Sequence, residues 1–165
     1  LLSGSLDDAG HGNHLIASHP ATRWVTAYKA LCQVAEIAEQ HDLVYNLEPL
    51  NIKRDHPGYS IPYFEDAARL LEQVGSPRIR ILMDIYHTQI QEGNVIETIR
   101  NHSDLIGYVH VADVPGRHEP GTGEIDYRRV AAALHDVGYT GAVGLEAYPA
   151  ETDEKALSAF RDVFG

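Results

Sequence analysis

Regular alternation between short apolar runs and helical stripes constrains this chain more than any other feature. Four runs, LVYNLEPLN (residues 43–51), RIRILMDIYH (78–87), LIGYVHVADVPG (105–116) and GAVGLEAYP (141–149), are rich in Val, Ile, Leu and Tyr and bounded by Gly, Pro and Asp. Near-continuous apolar runs of this kind read as strands covered on both faces. Helical patterns lie between them. Trp24, Tyr28, Leu31, Ala35 and Ala38 make one apolar stripe at four-three-four-three spacing. Pro62 opens and Gly75 closes a second helix, and residues 95–100, 127–137 and 154–163 read as three more, with Gly138 ending the second of these. LLSG at the start reads as another strand, for five strands and five helices in all.

Such alternation favours a parallel sheet with helices outside it and right-handed crossovers. Ligands of these folds sit beyond the carboxyl ends of the strands. A chain of 165 residues can form one domain with a substantial core, but a closed eight-fold barrel usually takes about 250. The expected fold is therefore α/β, a parallel (β/α) barrel of about five units that is incomplete. Because the chain begins directly on a strand, a missing amino-terminal portion is expected from earlier sequence or from a partner chain. An open five-stranded sheet is the alternative, at the cost of uncovered edges.

Each of the four apolar runs delivers one metal-type side chain where it gives way to turn residues: Glu48, Asp84, His110 and Glu146. A charge at the tip of a buried strand is costly unless paired or bound to a cation. Four in succession suggest one shared cation. The formal charge of -11 opposes tight binding to a phosphate backbone, so no nucleic-acid partner is expected. The single Cys32 falls on the apolar helix face, which fits a packed thiol and a reducing, cytoplasmic setting. No apolar run reaches membrane-spanning length, so no membrane partner is expected either.

NLEPLN, MDIYH, VHVADVPGRHEPGTGEIDY and GLEAYP together resemble the carboxyl-terminal half of the xylose isomerase-like TIM barrels, in particular the hydroxypyruvate isomerase and sugar epimerase group. The PGRHEP block with the following GEIDY is the most specific part. The resemblance implies that residues 1–165 are a single domain, the carboxyl-terminal portion of such a barrel, running from its fourth strand to its eighth. It assigns Glu48, Asp84, His110 and Glu146 to the metal-ligand positions, makes Glu48 and Glu146 the proton-transfer pair, and gives His87 and Arg117 contacts to substrate oxygens. Some hydroxypyruvate isomerase relatives carry Gln at the position of His110, so this imidazole leans towards the epimerase ligand set.

Chemistry supplies an independent reason for these residue types. Moving a carbonyl between adjacent carbons, or inverting the carbon beside it, requires removal of a weakly acidic C–H proton and stabilisation of an enediolate. A divalent cation stabilises that charge, while opposed carboxylates take and return the proton. Three carboxylates and one imidazole suit Mg2+ or Mn2+, with Co2+ or Zn2+ also permitted. The leading expectation is an isomerase for a small hydroxy-carbonyl substrate, hydroxypyruvate to tartronate semialdehyde first. A ketose 3-epimerase, a 2-oxo-tetronate or keto-inositol isomerase, an endonuclease IV-like phosphodiester hydrolase and a non-catalytic fragment or subunit are the alternatives. A homo-oligomer, or a chain that completes the barrel, is the expected assembly.

Other residues carry narrower expectations. Asn51 is expected to hold the following loop through an Asn-type turn. In the loop of residues 53–60, His56 or Tyr59 is expected to approach the substrate. Arg117 could instead pair with Glu119 or Glu124, and His118, Glu119, His102 and His135 read as solvated. His11, His14 and His19 lie in a Gly, Asp and Ser-rich stretch without recognisable partner ligands.

Overall fold

The computed structural model describes residues 19–165. Four parallel strands, β1 (Tyr45–Leu47), β2 (Ile79–Asp84), β3 (Ile106–Val111) and β4 (Val143–Leu145), form one sheet in the order β1-β2-β3-β4. Sequential neighbours joined by helices give the expected parallel α/β barrel architecture, and among the described residues the barrel is not closed. The strand expected at residues 1–4, with His11 and His14, lies outside the described residues.

Among the described residues, six helices accompany the sheet: α1 (Pro20–Gln40), α2 (Phe64–Val74), α3 (Ile85–Gln91), α4 (Val95–His102), α5 (Tyr127–Asp136) and α6 (Asp153–Phe164). Helix α1 starts where the His19 side chain accepts from Ala21 N, with Pro20 at the first helical position. Its buried face is Leu31, Ala35 and Ala38, whereas Tyr28 at the other end of the expected stripe is exposed and Cys32 is half-buried. Helix α2 begins at Phe64 rather than Pro62 and ends on Gly75, whose φ of 71° supplies the left-handed cap. It buries Phe64, Ala67, Ala68, Leu70 and Leu71 in a core shared with Ile79, Ile81 and Met83 of β2 and Val109 and Val111 of β3. No helix among the described residues is long and apolar enough to cross a membrane.

Period-two alternation sends Ile79, Ile81 and Met83 into that core and Arg80, Leu82 and Asp84 to the opposite face. The β2–β3 register shifts by one residue between Ile81 and Leu82: Ile81 pairs with Ile106, but Leu82 pairs with Tyr108 and Asp84 with His110. Gly107 is the extra residue. A Cβ there would lie 2.0 Å from Asn46 Oδ1 and 2.8 Å from Arg80 Cβ, so no side chain fits. His110 in turn pairs with Gly144 of β4, one step before Leu145 and two before Glu146.

Two expectations need correction here. The run of residues 78–87 is not one strand: β2 stops at Asp84, and Ile85 begins α3, a sixth helix. The Asp84 side chain accepts from His87 N at 2.9 Å and caps that helix. This local bond overrides the β preference of Ile85 and Tyr86. The expected strand spans were also too long elsewhere, since β1 and β4 have three residues each.

Candidate metal centre

Four ligand-type side chains meet at the carboxyl ends of the strands. Glu48 follows β1 directly and is buried, its carbonyl accepting the Tyr59 hydroxyl at 2.7 Å. Asp84 ends β2 and is almost fully buried. Its Oδ1 is committed to the α3 cap, which leaves Oδ2 to face the other strands. His110 lies in β3, and Glu146 follows β4, held by Glu146 N donating to Val111 O at 3.1 Å. One ligand atom from each of Glu48, Asp84, His110 and Glu146 lies within 4.8 Å of the others.

The electrostatics fit a cation at this point. His110 Nδ1 is 3.9 Å from Glu48 Oε1, 3.8 Å from Asp84 Oδ2 and 3.1 Å from Glu146 Oε2, yet it is buried without a well-directed hydrogen bond. Burial works against its charged form, but Glu48, Glu146 and Asp84 outweigh that and raise its pKa. Burial pushes Asp84 up to about 7, with Glu48 adding to the rise while the His87 N–H, Arg117 and His110 oppose it. Three carboxylates crowded around an imidazole nitrogen without a hydrogen bond form a donor set that can hold a divalent ion. Oxygen-rich donors with a single nitrogen suit a hard or borderline metal.

Arg117 completes the cluster. Its Nη2 lies 3.1 Å from Asp84 Oδ2 and 2.5 Å from Glu146 Oε2, its Nη1 lies 3.2 Å from His87 Nε2, and the guanidinium stacks 4.8 Å over the Tyr86 ring. The sequence alternative of a partner in Glu119 or Glu124 does not hold. Glu124 instead meets Gln89, and Glu119 is buried and accepts from Ala150 N at 2.9 Å, which corrects its reading as solvated. His118 is tied by Nδ1 to the Tyr148 carbonyl at 2.6 Å. His102 is also not solvated, because it sits between Phe64 and Glu65, while His135 is exposed as expected.

Sequence reasoning missed the residue that shapes the Arg117 loop. The fully buried Asp113 carboxylate accepts four backbone N–H groups, from Val114 and Ile125 on Oδ1 and from Gly121 and Gly123 on Oδ2, at 2.9 to 3.1 Å. The backbone of Asp113 also bonds that of Arg117 and His118, and Arg117 takes a left-handed φ of 58°. An Asp directly before a stretch with three Gly and two Pro, at residues 114–123, was the available signal, because such a loop exposes many unpaired amides.

His87 is buried beside the cluster. Burial and the charges of Arg117 and His56 push its pKa down to about 3, which keeps it neutral. Asn51 behaves as expected for the turn, its Oδ1 accepting from Arg54 N and Asp55 N. Of the loop residues 53–60, Tyr59 is beside Glu48 but bonds its main chain, and the His56 ring packs 5.2 Å from that of His87.

Known proteins resemble the chain over most of its length. The chain is 39% identical over 132 residues to the putative hydroxypyruvate isomerase of Homo sapiens, covering 79% of this chain and 48% of that protein. It is 36% identical over 132 residues to the hydroxypyruvate isomerase of Escherichia coli (strain K12), covering 80% and 51%. The chain thus spans about half the length of these relatives. A crystal structure described as an AP endonuclease, family 2, from Brucella melitensis superposes with a TM-score of 0.82 at 32% identity, over 87% of this chain and 55% of that one. The model of the xylose isomerase-like TIM barrel family matches residues 9–163. With nearly its whole length matched and its ligand-type residues gathered at the expected end of a parallel sheet, the chain belongs to the xylose isomerase-like TIM barrel family.

Proposed function

We propose that this chain carries the catalytic face of a metal-dependent isomerase that interconverts a small hydroxy-aldehyde and hydroxy-ketone, with hydroxypyruvate and tartronate semialdehyde the first pair to assay. The observation that carries this reading is the convergence of Glu48, Asp84, His110 and Glu146 within 4.8 Å. These four residues would hold the ion, Mg2+ or Mn2+ by donor type, which when bound supplies Lewis-acid stabilisation of negative charge on the substrate oxygens. Glu48 and Glu146 reach the centre from β1 and β4, the two ends of the sheet order, and so approach a bound substrate from different sides. One removes the C–H proton and the other delivers a proton to the adjacent carbon. Arg117 Nη1 and the neighbouring His87 Nε2 offer positions for substrate oxygens. The relatives named hydroxypyruvate isomerase support the substrate pair.

A 3-epimerase reading has its own support, because His110 matches the epimerase ligand set and the same two carboxylates on opposite sides suit inversion at one carbon. The assay that separates the readings follows incorporation of solvent deuterium by NMR in the presence of Mg2+ or Mn2+. Label appearing with carbonyl migration in hydroxypyruvate supports the isomerase, and label at C3 of a ketose with inversion supports the epimerase. Cleavage of abasic DNA without either would favour the phosphodiester hydrolase, which the net charge of -11 opposes.

A further inference from the structure

His87 has two ring nitrogens in unlike settings. On one side Asn51 presents two N–H donors to Nδ1, the side-chain Nδ2 at 2.7 Å and the main-chain N at 3.4 Å. The orientation of the Asn51 amide is itself fixed. Its oxygen accepts from Arg54 N and Asp55 N, at 3.0 and 3.1 Å, while its nitrogen donates to Asp55 Oδ2 at 2.7 Å. Turning the amide over would set an NH2 group against two backbone N–H groups and an oxygen against a carboxylate. Nδ1 of His87 is therefore an acceptor, and the ring proton of the neutral imidazole must sit on Nε2.

On the other side Arg117 Nη1, also a donor, lies 3.2 Å from Nε2. Two donors do not bond each other. At that separation one acceptor oxygen can be reached by both, which would relieve the contact between them. We infer that Asn51 is a positioning residue that locks His87 in its Nε2–H tautomer, so that His87 and Arg117 together donate to a single substrate oxygen, of a carbonyl or carboxylate. The shared-oxygen role rests on the isomerase reading, whereas the tautomer does not. Asn51 is fully buried and 36 residues away from His87 in sequence, so the lock joins the turn after β1 to helix α3. Its partner Asp55 belongs to the same turn, so the turn and the ring are held through one amide.

The test is the 15N spectrum of the histidine rings in the Mg2+-loaded protein at neutral pH, with the His87 signals assigned by their loss in His87→Gln. The expected spectrum has the proton on Nε2 and a bare Nδ1. In Asn51→Asp the carboxylate accepts, so the proton is expected to move to Nδ1, and Asn51→Ala, lacking the side-chain donor, is expected to give both tautomers. A wild-type proton on Nδ1, or an unchanged Nε2–H ring in both variants, overturns the lock. Kinetics then test the shared oxygen separately. Asn51→Asp should lower kcat/KM at least tenfold in the wild-type background and less than twofold in the His87→Gln background. Equal losses in both backgrounds would overturn action through His87. A protein that turns over neither substrate class while keeping the Nε2–H ring removes the isomerase reading and leaves the lock standing.

Discussion

Glu48 and Glu146 carry the same side chain into different surroundings. The Glu48 side chain is 5% exposed, whereas that of Glu146 is 48% exposed and ion-paired to Arg117. On the proposed mechanism, a proton taken by Glu146 would exchange with water and one held by Glu48 would be sheltered. Replacing Glu146 by Gln should therefore lower deuterium incorporation a hundredfold or more, in line with loss of an acid–base group, while calorimetry still detects metal binding at reduced affinity. Full exchange in that variant would remove Glu146 from the proton pathway. His87 makes a separate prediction about pH. Its folded pKa is lowered to about 3 by burial and by Arg117, against about 6.5 in an unfolded chain. Between those values only the unfolded chain takes up the proton, so this contribution is present above pH 6.5 and is lost as pH falls towards 3, by a few kcal/mol in all. Asp84 opposes it: raised to about 7 by burial, it favours the folded state increasingly as pH falls from 7 towards 4. Urea melts at pH 7 and pH 4 should show a larger fall in stability for wild type than for His87→Gln. Equal falls would mean that the buried ring is not held neutral.

At the level of elements, the Arg117 loop depends on one carboxylate. Asp113→Asn would turn an NH2 group towards two of the four backbone N–H groups that Asp113 now accepts, at a cost of about 2 kcal/mol. Thermal denaturation should register that loss, and activity should fall further than stability because Arg117 is no longer held. Gly123→Ala is expected to act in the same direction, since a Cβ there would lie 2.1 Å from Val114 O and 2.6 Å from Asp113 Oδ1. Retention of wild-type melting and turnover in both variants would refute this role for the loop. The apolar runs made the strands and their order legible, because burial on both faces leaves a continuous hydrophobic record. Helix α3 was hidden because its start, Ile85 and Tyr86, is as apolar as the strand before it, and only Asp84 as a cap marked the boundary. Glu119 and His102 were misread for a related reason: charged residues in loops and at helix ends are usually solvated, and their burial is decided by contacts far away in sequence, with Ala150 and Glu65.

For the whole molecule, the expected effect of a metal is on stability. An ion bound only by the folded chain at a hundred times its Kd should add about 2.7 kcal/mol, raising Tm in Mg2+ or Mn2+, and EDTA should reverse the shift. No shift with either ion, together with no heat of binding by calorimetry, would argue against the proposed centre. The four converging side chains, Glu48, Asp84, His110 and Glu146, were legible because each sits within one residue of the end of its strand. Their common level was not, since it depends on inter-strand register. The one-residue shift at Gly107 places His110, rather than Val109, across from Asp84. Kept in an unshifted ladder, that glycine would sit across from Leu82 and Val109 across from Asp84, an aliphatic side chain in the place of the imidazole. A more regular sheet built from these same residues would thus lack its nitrogen ligand, and the small irregularity in β3 is what turns carboxylate and imidazole towards one another.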